Sequence, residues 1–158
     1  MSDRALILLV DDSSDECLLT RRAFLKANVL NPVYVVSSGE EALAYLSGTG
    51  RYSNRAEFPL PGLILLDLNM PGMDGFEVLR WIRSRPGLTR LRVVVLTASN
   101  DVRDVNLAYQ LGANSFLVKP ADFERFVEIS QALSGYWLWM DKPPETSRVP
   151  PNGLEQVR

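Results

Sequence analysis

The chain has 158 residues, enough for one domain with one continuous core, and its 46% hydrophobic and 23% charged residues are those of a folded globular protein rather than a disordered tail. A balance of 17 basic against 19 acidic residues leaves a formal charge of -2, with no run of Lys and Arg dense enough to track a phosphate backbone, so direct nucleic-acid binding is not expected. Histidine is absent and Cys17 is the single cysteine, so any chemistry must rest on carboxylates, hydroxyls and lysine.

From the N-terminus, residues 5–10 form a short apolar run cut off by Asp11 and Asp12. It lacks the small-residue cleavage site of a signal peptide and reads as a strand. No apolar segment approaches the length of about 20 residues needed to cross a bilayer, so a cytoplasmic protein without membrane contact is expected. A helix follows, started by Ser13 with Glu16 at capping-box spacing, and it contains Cys17, read as a small core or near-surface residue. Residues 32–37 read as the second strand, and Ser38 with Glu41 starts the second helix.

Gly48, Gly50, Ser53, Asn54, Pro59 and Pro61 make 47–61 a long irregular connection, either a partner-facing surface or a tolerated insertion. Strands are then expected at 62–67, 91–97 and 115–118, with helices at about 75–83, 102–111 and 122–136, Gly112 ending the fourth. The first, third and fourth strands are almost wholly apolar, the pattern of a parallel sheet covered on both faces. Five βα units in a doubly wound α/β fold follow, spanning residues 1–140. The tail 141–158, with Pro143, Pro144, Pro150 and Pro151 and little apolar periodicity, is expected to be flexible.

In an open parallel sheet the functional crevice lies outside the carboxyl ends of the strands. Asp11 and Asp12 end the first strand, Asp67 the third, Thr97 the fourth, and Lys119 with Pro120 the fifth. Each alone would pass for a cap or turn residue. At successive strand ends they would converge, and three gathered carboxylates need a cation to stay ionised. A hard divalent ion suits all-oxygen ligands: Mg2+, with Mn2+ as an alternative. Lys119 could then neutralise a phosphoryl group carried by Asp67, and the Thr97 hydroxyl could donate to one of its oxygens.

Four blocks in order, Leu8-Leu9-Val10-Asp11-Asp12, Ile64-Leu65-Leu66-Asp67-Leu68-Asn69-Met70-Pro71-Gly72-Met73-Asp74-Gly75, Val94-Val95-Leu96-Thr97-Ala98 and Phe116-Leu117-Val118-Lys119-Pro120, closely resemble receiver domains of two-component response regulators. The resemblance spans residues 6–136 and implies the flavodoxin-like receiver fold, a five-stranded (βα)5 sheet. It implies Asp67 as phosphoacceptor from a phosphohistidine on a sensor histidine kinase, with Lys119 and Thr97 completing the catalytic set. Asp12, Asp67 and the Asn69 backbone carbonyl would ligate the metal directly, and Asp11 would do so through water. Thr97 and Phe116 resemble the switch pair, the ring turning inward as the hydroxyl moves toward phosphate; Phe116 also reads as plain core. Asn69 and Ser99 resemble the positions that tune phosphoryl lifetime, and without an acid or amide at Ser99 slow self-hydrolysis is expected. The Lys119–Pro120 peptide is typically cis in relatives.

Tyr52 in the long connection, the 63–69 phrase and the Tyr136-Trp137-Leu138 ending look most like the small receivers that work with bacterial phytochrome kinases. Tyr136, Trp137, Leu138, Trp139 and Met140 cannot all be buried on one helical face, so a homodimer through the last helix and the segment following it is expected, with kinase docking or folding back onto the domain as the competing uses. A dinucleotide or flavin module would need a glycine-rich turn where Asp11-Asp12-Ser13-Ser14 stands. An aspartate-based phosphatase would need an acid at Asn69. The expectation is a phosphoacceptor signalling protein rather than an enzyme, acting through contact or onward phosphotransfer, against a phosphate sink or a phosphorylation-independent binding module.

Overall fold

The computed structural model describes residues 4–138. Five parallel strands, β1 (Ile7–Val10), β2 (Val33–Val36), β3 (Leu63–Leu66), β4 (Val93–Thr97) and β5 (Ser115–Val118), form one sheet in the order β2-β1-β3-β4-β5. The helices are α1 (Ser14–Lys26), α2 (Gly39–Ser47), α3 (Gly75–Ser84), α4 (Val102–Gln110) and α5 (Phe123–Leu133). This is the doubly wound (βα)5 architecture expected.

Because side chains alternate across a strand, β1 sends Leu8 and Val10 into one core and Ile7 and Leu9 into another. The first core also takes Ile64, Leu66, Val93 and Val95 against Tyr45, Leu79 and Ile82; the second takes Leu63, Leu65, Val94 and Leu96 against Phe24, Phe126 and Leu133. Each fully buried Leu, Ile or Val contributes roughly 1.5–3 kcal/mol by leaving water. The central strands therefore hold the edge that carries the functional residues rigid.

The strands are shorter than the apolar runs suggest, since ladder pairing begins at Ile7, opposite Val33 and Leu63. Pro32, expected within the second strand, has no N–H to donate to a ladder and only accepts from Ile7 N. At the other end single bonds extend the order beyond the strands. Asp11 N donates to Val36 O at 3.1 Å, Asp67 N to Val10 O at 3.0 Å, and Lys119 N to Thr97 O at 2.7 Å.

Ser13 and Ser38 cap α1 and α2, their hydroxyls accepting from Glu16 N at 3.2 Å and Glu41 N at 3.0 Å. Neither glutamate returns its side chain to the cap: Glu41 binds Ser37, and Glu16 leaves the helix end altogether. The reciprocal capping box instead starts α3, where Asp74 and Glu77 exchange bonds of 3.0 Å, a motif the sequence reading passed over. Gly75 allows that start to sit against the end of β3, for a Cβ there would lie 2.3 Å from Asp67 O.

Two further expectations are corrected. The last helix stops at Leu133 rather than running to residue 136, and the backbone continues as a π-helical turn, Ser134–Leu138; the Ser134-Gly135 pair is a weak point for α-helical continuation. The connection 47–61 holds a 3-10 turn, Gly50–Tyr52, and packs back onto the domain. Tyr52 is buried within a ring cluster of Tyr34, Tyr45 and Phe58, with centroids 4.9–6.0 Å apart. Arg55 donates to the carbonyls of Tyr45, Leu46 and Phe58, satisfying the end of α2 that Gly48 closes with φ 70°.

Candidate functional site

The sheet register fixes the site before any side chain is considered. Val10 pairs with Leu66, so the next residues, Asp11 and Asp67, leave the two central strands side by side. One oxygen from each of Asp11, Asp12 and Asp67 can be chosen so that all lie within 4.8 Å of one another. Thr97 pairs with Val118, which sets Lys119 one residue beyond the end of the β4–β5 ladder. All five strand-end residues singled out in the sequence are thus brought together.

Asp11, Asp67 and Thr97 are buried, while Asp12 is exposed. The Lys119 ammonium donates to Asp11 Oδ2 at 2.7 Å and stands 3.8 Å from Asp67 Oδ2. It also donates to Glu16 Oε1 on the first turn of α1. Burial opposes the Lys119 charge, but the bonds to Asp11 and Glu16 and the charge of Asp67 outweigh it and hold its pKa above the usual value. Burial pushes the Asp67 carboxyl up, reinforced by the nearby Asp11 charge. Lys119, the Thr97 hydroxyl and the Asn69 N–H, at 3.4 Å from Oδ1, offset this only in part.

A divalent cation fits this donor set. The three side chains offer hard oxygen ligands alone, converging from two adjacent strand ends, and burial leaves Asp67 in need of more positive charge than Lys119 supplies. Beside Asp11 and Asp12, a cleft of about 320 Å3 opens between α1 and β2, walled by Cys17, Leu18, Arg21 and Val35. The Cys17 thiol is pushed up to about 11 by burial and by Asp11, which agrees with its reading as a core residue.

The remaining expected positions lie around this centre. Asn69 is exposed at the mouth. Ser99 donates to Asp104 Oδ2 at 2.6 Å and accepts from Asp101 N at 3.3 Å, so its hydroxyl is tied to the start of α4; its N–H lies 3.5 Å from Thr97 Oγ1. Phe116 lies opposite Val95, half-buried against the first core, and its N–H donates to the Tyr109 hydroxyl at 3.1 Å. The Lys119–Pro120 peptide is trans, contrary to expectation; no cis peptide occurs among the described residues, and X–Pro bonds still prefer trans by about 0.5–1 kcal/mol.

Tyr136 is 60% exposed. Trp137 and Leu138 lie in the π-helical turn by backbone alone, and Trp139 and Met140 lie outside the described residues. Glu16 and Asp104 were not anticipated. Glu16 had a local use as a capping-box acid, and Asp104 looks like an ordinary first-turn acid, so neither carried a signal of its longer reach.

A doubly wound sheet with acids and a lysine at its carboxyl edge defines a class, and comparison agrees: residues 7–131 match the response regulator receiver domain, and the chain belongs to that family. The response regulator Rcp1 of Synechocystis sp. is 37% identical over 142 residues, covering 87% of this chain and 95% of that protein. Its Mn(2+)-bound structure superposes with a TM-score of 0.76 at 36% identity, covering 85% of this chain and 94% of that one. The phosphorylated cyanobacterial phytochrome response regulator RcpA gives 0.79 at 37% identity (87% and 96% covered), and RPA3017, a response regulator in red light signalling of R. palustris, gives 0.81 at 34% (85% and 94% covered). Among the described residues no helix is long and apolar enough to cross a membrane.

Proposed function

We propose that the chain accepts a phosphoryl group on Asp67 from a phosphohistidine of a sensor histidine kinase, in a reaction that depends on magnesium or manganese. The observation that carries this reading is the buried Asp67 carboxylate grouped with Asp11 and Asp12 and facing the Lys119 ammonium at 3.8 Å. In the transfer, an Asp67 carboxylate oxygen forms the new O–P bond as the N–P bond of the donor breaks, the bonding pair passing to the imidazole nitrogen. Lys119 supplies positive charge to the phosphoryl oxygens, and the Thr97 hydroxyl donates to one of them. A metal ion held by Asp11, Asp12, Asp67 and the Asn69 carbonyl would supply the charge that keeps the acids ionised beside a transferring phosphoryl group. Return to the starting state is attack of water on phosphorus, releasing inorganic phosphate and restoring the carboxylate.

The likeness to RcpA and RPA3017 supports a bacterial phytochrome kinase as the partner. Thr97 with Phe116 forms the switch, and Asn69 with Ser99 tunes phosphoryl lifetime. A homodimer through the last helix and the segment following it completes the reading, supported by the exposure of Tyr136. Incubation with magnesium and acetyl phosphate tests the central claim: intact mass should show one added phosphoryl group on the wild type and none on Asp67→Asn. Equal labelling of both, or of neither, overturns it.

A further inference from the structure

The ammonium of Lys119 faces three carboxylates, and they are not equivalent. Asp11 and Asp67 are buried and belong to the candidate metal ligands, whereas the Glu16 side chain is 46% exposed and stands on α1 outside that set. Its local sequence offers it another use. In α3 the acid at the same helix position, Glu77, turns back and accepts the Asp74 N–H. In α1 only the Glu16 backbone N–H serves the cap, and the side chain crosses to Lys119. The Ser13 N–H that such a return would need is already taken by Asp11 Oδ1 at 3.0 Å, which leaves the Glu16 carboxylate for the buried ammonium.

We propose that Glu16 is a positioning residue that draws Lys119 away from the metal-binding carboxylates, and that it thereby favours cation binding while opposing the transfer of Lys119 to an incoming phosphoryl group. The proposal rests on the reading of Asp67 as phosphoacceptor. Lys119 and a divalent cation draw on the same two carboxylates, Asp11 and Asp67, and Glu16 is the anion that can hold the ammonium without being a ligand. Without it, the full Lys119 charge falls on Asp11 and Asp67 and the cation binds less well. Once a cation is in place, the same loss frees Lys119 for an anion bound at Asp67. The two affinities therefore shift in opposite directions, which simple loosening of α1 would not produce.

The test is calorimetric titration of the full chain with magnesium alone, then with beryllium fluoride at saturating magnesium. Glu16→Gln should raise the magnesium dissociation constant roughly threefold to tenfold and lower that of beryllium fluoride by a similar factor. In a Lys119→Met background, or Lys119→Gln if that chain does not fold, the same substitution should leave magnesium affinity unchanged within about a factor of two. An equal shift with and without Lys119 would reduce Glu16 to a surface charge, and no shift, or both affinities weakening, would overturn the proposal. Failure of the wild type to bind beryllium fluoride would instead count against Asp67 as phosphoacceptor, leaving the magnesium arm to judge Glu16.

Discussion

Replacing Lys119 with methionine preserves the bulk of the side chain and removes its charge, leaving Asp11, with its side chain 1% exposed, and Asp67, at 9%, without their cation. The Lys119–Asp11 contact is 2.7 Å long and almost dry, so it falls in the regime where deleting one partner strands a buried charge. That costs roughly 3–5 kcal/mol, a large share of the 5–15 kcal/mol that holds an ordinary domain folded. Magnesium can take over the missing charge, because it would bind the same carboxylates without competition from the ammonium. At a hundredfold excess over its dissociation constant it would return about 2.7 kcal/mol. Urea unfolding of wild type and Lys119→Met, in chelator and in magnesium, measures both quantities. The variant should be weakened by about 3–5 kcal/mol in chelator and should gain more from magnesium than the wild type does. A variant as stable as wild type in chelator, or a deficit that magnesium leaves untouched, would refute the idea that Lys119 and the cation balance the same acids.

Other consequences lie away from the strand ends. Tyr52→Phe removes the 2.6 Å bond to Glu41 from a buried ring and should cost about 1.5–3 kcal/mol in urea unfolding while leaving phosphorylation by acetyl phosphate intact. Burial pushes the Glu41 carboxyl up, but the bonds from Tyr52 and Ser37 and the charge of Arg51 prevail and hold it below its ordinary value of 4.5. A depressed folded-state pKa means stability that is present above pH 4.5 and is lost as pH falls through the lower folded value, so the difference in urea midpoint between wild type and Glu41→Gln should be full at neutral pH and shrink as the pH is taken below 4.5. Gly75→Ala places a methyl 2.3 Å from Asp67 O, forcing α3 off the end of β3; reduced thermal stability together with reduced phosphorylation is expected, and a variant unchanged in both would show that the close approach is not needed. Arg83 donates to the carbonyls of Thr89, Leu91 and Gly112, so Arg83→Met should unfold at lower urea by about 1–3 kcal/mol with those acceptors left unpaired.

Some of this was legible in the chain itself. The apolar runs around Leu8, Ile64 and Val94 imply a sheet buried on both faces, because a strand exposed on one face would alternate. Strand ends in a parallel sheet share an edge, so Asp11, Asp67, Thr97 and Lys119 could be grouped without knowing a single distance. That inference needs only the period of side chains and the direction of the strands, both local properties.

Other features depended on which side chain meets which across the fold. Glu16 and Glu77 occupy the same place in their helices, yet one reaches a lysine of β5's far end and the other closes its own cap. Glycines and prolines made 47–61 look like an open loop, whereas Tyr52 finds three other rings and Arg55 finds the end of α2. Local sequence sets what each residue can bond to; the packed chain decides among those partners, because burial makes an unpaired charge or hydroxyl costly and only the tertiary arrangement says what lies within reach.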